Sequence, residues 1–301
     1  MADWKIKDRL KGVFVLAITP MKENGAIHFS ALTRNINHFI DRGADGIVVG
    51  GTYAEYPSMT FEERKELFFV AAKTVKERVP LICCTAASGT SEAIELTKLA
   101  KEAGADGVMV TAPYVAEVEP DDIFYHFKQL NDAVDLPIFI YNSASIGITL
   151  SPELISRLAD LPNVVGVKHG STDMRELIRT QMLAGDRIAV MAASDSIMLG
   201  ALALGLPGCT STNANFMVDE FIALKNELNA GKLLEAQKRF YRWQPVWELA
   251  HKYGQPAMVK AALDIVGLPS GPVRAPFRSL DQTARQEIQD TLRKIVVTKE
   301  N

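Results

Sequence analysis

The stretches Gly43-Ala-Asp-Gly-Ile-Val-Val49 and Gly104-Ala-Asp-Gly-Val-Met-Val110 repeat one grammar. In each, a glycine closes a helical pattern, an Asp-Gly turn follows, and a short apolar run begins a strand. The same alternation extends outward along the chain. Strands are predicted at Val13–Ile18, Gly46–Val49, Leu81–Thr85, Gly107–Thr111, Ile138–Tyr141, Val164–Lys168, Ile188–Ala192 and Gly208–Ser211. Helical patterns lie between them, such as Phe61–Glu77 and Ser91–Ala103. Strands alternating with helices imply βαβ units and a parallel sheet. Eight such units without a linker-like break predict an α/β fold, a closed (β/α)8 TIM barrel rather than two open sheets.

Past the eighth strand, helical patterns cover Asp219–Leu228, Lys232–Tyr253, Ala257–Val266 and Leu280–Val296. They predict the last barrel helix and a C-terminal helical extension. The expected division is a barrel over 1–230 and an extension over 231–301, packed together as one structural unit. The Pro/Gly-rich run Gly267–Pro276 reads as a loop inside that extension.

Composition narrows the function classes. Of 301 residues, 48% are apolar and 23% charged, as in a soluble globular enzyme. Net charge is −3, with no block of like charges, so neither nucleic acid nor a membrane is an expected partner. The N-terminal run is charged and lacks the apolar core of a secretory signal. No apolar run approaches the roughly 18 residues of a membrane-spanning helix. Cys83, Cys84 and Cys209 read as reduced core thiols, which with the missing signal predicts a cytoplasmic location. No cysteine pair has zinc-ligand spacing, and no metal or cofactor is expected.

In a (β/α)8 enzyme the chemistry sits at the C-terminal ends of the strands. Those ends carry hydroxyls and small residues: Gly50–Tyr56 ("GGTYAEY"), Thr85–Thr90, Thr111–Tyr114, Tyr141-Asn142, Lys168, Ser194-Asp195 and Thr210–Asn215. A metal-dependent hydrolase would place His, Asp and Glu at several of them. Of the five histidines only His169 lies near a strand end, and strand alternation turns it away from Lys168. No Gly-rich phosphate cradle follows strands seven and eight, which argues against a sugar-phosphate isomerase.

Lys168 ends the apolar run Asn163–Gly170 ("NVVGVKHG"). Three readings are open for it: a solvated strand end, half of a buried ion pair, or a nucleophile. A desolvated lysine amine loses proton affinity and can form a Schiff base with a ketone. The step needs a hydroxyl to shuttle protons, and Tyr141 on the neighbouring strand suits it. It also needs donors for a carboxylate, and Gly51, Thr52 and their backbone N–H groups suit that. Thr52 could instead cap a turn. Lys260, in "AMVKAAL", reads as an ordinary amphipathic-helix lysine, and Cys209 as packing.

At these residues the chain resembles the dihydrodipicolinate synthase/N-acetylneuraminate lyase family of class I, Schiff-base-forming aldolases, over essentially its whole length. The family's G-x-x-G-E loop appears as Gly51-Thr52-Tyr53-Ala54-Glu55, its Tyr-Asn as Tyr141-Asn142, and its lysine in a G-[IV]-K run as Lys168, 27 residues after the tyrosine. The resemblance implies a Lys168 imine with pyruvate or another 2-oxo acid and Tyr141 as proton shuttle with Thr52 as relay partner. It also implies Gly51, Thr52 and Tyr53 as the carboxylate cradle, Thr210 as a further substrate contact, and a homodimer or homotetramer. Departures fall around that core. Ala54 stands where the family has glycine, and Tyr53 replaces a small hydroxyl residue, as substrate contact or as pocket plug. Val115 replaces the tyrosine that the synthase lends across a subunit interface. Ser143–Gly147 ("SASIG") lacks the arginine that grips the synthase's aldehyde, and Gly170 stands where the lyase has threonine. Glu55 is expected to fix its loop through backbone hydrogen bonds, and Asp195 to cap a helix.

The function expected is a lyase that makes or breaks a carbon–carbon bond through a Lys168 imine. Retro-aldol cleavage of a 2-oxo acid leads, followed by dehydration of a sugar-derived 2-oxo acid. Condensation, as in 4-hydroxy-tetrahydrodipicolinate synthase, comes next, and a non-catalytic barrel with a binding role stands against all three.

Overall fold

The structure, a computed structural model, describes residues 6–114 and 117–295. Eight parallel strands follow one another around a closed barrel: β1 (Gly12–Leu16), β2 (Gly46–Val49), β3 (Leu81–Cys84), β4 (Gly107–Thr111), β5 (Ile138–Asn142), β6 (Val164–His169), β7 (Ala189–Ala192) and β8 (Gly208–Ser211). β8 pairs with β1, which leaves no open sheet edge. Helices α1 (Phe29–Asp41), α2 (Phe61–Val75), α3 (Thr90–Ala103), α4 (Pro120–Ala133), α5 (Pro152–Leu158), α6 (Met174–Ala184), α7 (Met198–Ala203) and α8 (Ala214–Asn229) follow the strands in turn. The predicted strands are all present, with ends shifted by no more than two residues.

The repeated Gly-Ala-Asp-Gly has one structural job in both places. Gly43 and Gly104 take the left-handed conformation that ends a helix, φ +92° and +90°. The Asp45 carboxylate then accepts the Val13 N–H at 2.8 Å, and the Asp106 carboxylate accepts the Leu81 N–H at 2.8 Å. Each aspartate thus stitches the start of its strand to the start of the strand before it.

Strand side chains alternate between two compartments. Phe14, Val48, Ile82, Met109, Phe139 and Met191 plug the barrel interior. Val13, Ile47, Cys83, Val108, Val167 and Cys209 face the helices in a larger core. Truncating a ring in such a plug costs about 3–5 kcal/mol. The three cysteines are free and buried, and burial pushes their thiols up. α2 begins at a capping box: Thr60 Oγ1 accepts the Glu63 N–H at 3.2 Å, and the Glu63 carboxylate accepts the Thr60 N–H at 2.9 Å. Such an N-cap is worth about 1 kcal/mol.

The helical pattern at Lys232–Tyr253 is two helices, α9 (Leu233–Arg242) and α10 (Gln244–Tyr253). Pro245 lies in the first turn of α10, where a missing N–H is tolerated. Trp243, at the joint, is wholly buried with its ring 4.5 Å from that of Phe221 on α8. α8 starts at Ala214, earlier than the pattern predicts, and is kinked at Met217. α11 (Ala257–Ile265) packs on α8, and α12 (Gln282–Ile295) packs on α10 and α11. Val296, the predicted end of the last helix, lies outside the described residues. Among the described residues no helix is long and apolar enough to cross a membrane.

Candidate active site

Lys168 reaches the barrel interior because β6 carries an irregularity. Ile138 pairs with Val164, but Phe139 pairs with Gly166, so Val165 is an extra residue. Val165 faces the interior, yet Val167, two residues on, faces the helices. The parity of the strand has flipped, and Lys168 points inward with Tyr141 as its register partner on β5. Glycine is needed at the flip, since a Cβ at Gly166 would lie 2.1 Å from the Phe139 ring. His169 points outward, its Nε2 3.0 Å from Thr180 Oγ1 on α6.

Lys168 is 5% exposed. Its Nζ lies 3.9 Å from the centre of the Tyr141 ring, a cation–π contact. No salt bridge reaches it from the described residues, so neither the solvated strand end nor the buried ion pair describes it. Tyr141 is also buried, and its phenol oxygen lies 3.0 Å from Thr52 Oγ1.

Thr52 arrives on the loop after β2. Gly50 takes φ +71°, Gly51 is extended, and Thr52–Ala54 form one 3-10 turn. The Thr52 hydroxyl caps nothing in that turn and goes to Tyr141. Gly51, Thr52, Tyr53 and Ala54 line a small cavity together with Lys168, Tyr141, Met109 and Thr212. The enclosed space holds about one water-sized molecule. Tyr53 is a bulky part of its wall. Burial, then the neighbouring Tyr141 phenol, push the Tyr53 phenol up, while hydrogen bonding with Ser145 pulls the other way. Tyr53→Ser is therefore expected to favour bulky 2-oxo acids over pyruvate by about tenfold in relative imine-forming rate. Parallel reductive trapping of two acids of different size checks this, and an unchanged ratio would clear Tyr53 of that role.

Glu55 is fully buried, left-handed at φ 67°, and held by more than backbone groups. One carboxylate oxygen accepts the Arg274 N–H at 2.6 Å. The other lies 2.6 Å from Lys260 Nζ. Lys260 is thus not the solvated helix lysine that its spacing predicts. It is 2% exposed on α11, its amine also donates to Pro272 O at 2.7 Å, and burial pushes its proton affinity down. Helical periodicity cannot reveal this, because the partner is a loop residue some 200 positions away.

From β8, Thr210 points inward and is buried with no hydrogen-bond partner for its hydroxyl among the described residues, but it is Thr212, two residues later, that joins the cavity wall. Asn142 pins the segment after β5: its side chain accepts the Leu150 N–H at 2.8 Å and donates to Leu150 O at 3.3 Å. Val115 lies outside the described residues. Asp195 caps no helix. It opens a 3-10 turn, and its carboxylate accepts the Asn213 side-chain N–H at 2.8 Å. Burial pushes Asp195 up to about 6, against the pull of hydrogen bonds from Ser211 and Asn213. An acid that binds its proton more tightly when folded weakens the fold as pH rises through the window from about 4 to 6. Asp195→Asn is expected to raise the thermal midpoint at pH 7.5 and leave it unchanged near pH 4, as paired thermal melts will read. Among the described residues no group of three His, Cys, Asp or Glu could hold a metal ion.

Comparison with known proteins agrees with this geometry. The family model described as the dihydrodipicolinate synthetase family matches residues 9–295. The chain is 33% identical over 281 residues to the 4-hydroxy-tetrahydrodipicolinate synthase of Oceanobacillus iheyensis, covering 93% of this chain and 95% of that one. It is 34% identical over 280 residues to the synthase of the same name from Syntrophus aciditrophicus, covering 93% and 96%. Dihydrodipicolinate synthase from Aquifex aeolicus superposes with TM-score 0.91 at 30% identity, over 97% of this chain and all of that one. A prophage protein of the dihydrodipicolinic acid synthase family from E. coli, solved in complex with pyruvate, also gives 0.91, at 26% identity over 95% and 98%. Closed barrel, inward lysine and full-length similarity lead to one conclusion: the chain belongs to the dihydrodipicolinate synthetase family of aldolase-type lyases.

Proposed function

We propose that this protein forms a Schiff base between Lys168 and pyruvate or a related 2-oxo acid, and makes or breaks a carbon–carbon bond through the enamine. The observation that carries the reading is the inward Lys168 stacked on Tyr141, whose phenol meets the Thr52 hydroxyl at 3.0 Å. The Lys168 amine attacks the C2 carbonyl and gives a carbinolamine. Tyr141, backed by Thr52, delivers a proton to the departing hydroxyl, and water leaves to give the iminium. Gly51, Thr52 and Tyr53 hold the carboxylate, and Thr210, buried on β8, is a further polar contact. The iminium draws electrons from the bond at C3. Loss of an aldehyde, or of a proton, leaves the enamine, which is then protonated or attacks a carbonyl partner. Hydrolysis of the imine returns Lys168.

Cleavage of a 2-oxo acid remains the leading direction, because "SASIG" brings no arginine to the cavity. The relatives named 4-hydroxy-tetrahydrodipicolinate synthase favour condensation as a second direction. Residues 1–230 and 231–301 act as one unit, since barrel and extension side chains share one apolar core. The working protein is a cytoplasmic homo-oligomer. Borohydride reduction with pyruvate, followed by peptide mass spectrometry, tests the reading. A reduced adduct on Lys168 is expected, and its absence with every 2-oxo acid tried would leave a non-catalytic barrel. A panel of acids and aldehydes then fixes the direction.

A further inference from the structure

We propose that Lys260, on a helix outside the barrel, is a positioning residue for the pyruvate site and acts through Glu55. The inference rests on the Lys168 imine proposed above. Glu55 closes the turn that carries Thr52, its N–H donating to Thr52 O at 3.0 Å. It does so in a left-handed conformation that a non-glycine residue keeps only when its surroundings enforce it. The enforcement comes from the C-terminal helices: Lys260 Nζ at 2.6 Å and the Arg274 N–H at 2.6 Å, one on each carboxylate oxygen. Lys260 binds Pro272 O as well, so one amine ties α11, the 267–276 loop and the catalytic loop together. Arg274 secures the far end of the same segment. Its guanidinium donates to Ser58 O at 2.7 Å, to Gly25 O at 2.9 Å, and to Glu63 in the first turn of α2 at 2.8 Å.

Stability alone does not account for this arrangement. A buried ion pair is often matched or bettered by apolar residues of like size. What apolar residues cannot supply is a countercharge 2.6 Å from Glu55, and with it a hold on the loop that sets the Thr52 hydroxyl against Tyr141. A displacement of about 1 Å there is worth up to about 100-fold in function.

The test measures the pyruvate concentration that half-saturates borohydride trapping, alongside the thermal midpoint, in the full chain. Lys260→Met is expected to raise that concentration about 10- to 100-fold. It also lowers the midpoint, because it strands the Glu55 charge. The double variant Glu55→Gln/Lys260→Met strands no charge, so its midpoint recovers while its pyruvate affinity stays weak. If Lys260→Met does not fold, the double variant carries the test. A folded double variant with wild-type half-saturation overturns the inference and leaves the imine mechanism standing. A wild-type chain that traps no pyruvate at any concentration removes both.

Discussion

A Lys168→Ala chain is expected to trap no 2-oxo acid and to lose carbon–carbon bond chemistry by about four orders of magnitude or more. Among the described residues no other amine is placed to take over. Lys260, the other buried lysine among the described residues, is engaged by Glu55 and Pro272. Lys168→Arg is expected to be as inactive, since a guanidinium stays protonated and cannot add to a carbonyl. Neither loss should come from unfolding. The alanine variant removes a buried amine that has no ion-pair partner among the described residues, so it breaks no salt bridge there. Trapping with mass spectrometry, run beside a thermal melt, separates chemistry from folding. Full activity in a folded Lys168→Ala chain would place the nucleophile elsewhere.

Tyr141→Phe isolates the hydroxyl from the ring. The ring contact 3.9 Å from Lys168 Nζ survives, so the lysine keeps its place. The phenol that meets Thr52 at 3.0 Å is gone, and the carbinolamine loses its proton donor. Imine formation is expected to slow by about 10²- to 10⁴-fold, the usual worth of a positioned general acid. Thr52→Val should cost less alone. Added to Tyr141→Phe it should cost almost nothing, because the two hydroxyls act as one relay. Single-turnover trapping rates for the four chains of this cycle decide it. Strictly additive losses would mean that Thr52 serves the carboxylate and not the relay.

Much of this was legible in the chain because the relevant signals are local. Glycine ends helices, Asp-Gly starts strands, and eight repetitions of that rhythm leave few topologies. Tyr141 and Lys168 could be named because strand ends define a barrel's mouth. What stayed hidden depends on contacts across long sequence separations. Nothing near Lys260 announces Glu55. Asp195 looks like a cap until Asn213, on the far side of β8, is seen to donate to it. Likewise "TSTNAN" offers five polar candidates, and only the strand's register selects Thr212 for the cavity wall. The break between α9 and α10, by contrast, has a local cause: it falls at Trp243, just before Pro245, which cannot continue the helix ahead of it.

The extra residue in β6 has a consequence beyond aiming one side chain. It works as a change of reading frame in space: Val164–Val165 are read in one frame and Gly166–His169 in the other. Paired regularly from Val164 onward, with no extra residue, the same sequence would exchange every neighbour after Val165. His169, now bonded to Thr180 behind the barrel, would face the cavity, and Lys168 would face α6. The barrel would present an imidazole where it now presents an amine, and so change its class of chemistry without a substitution.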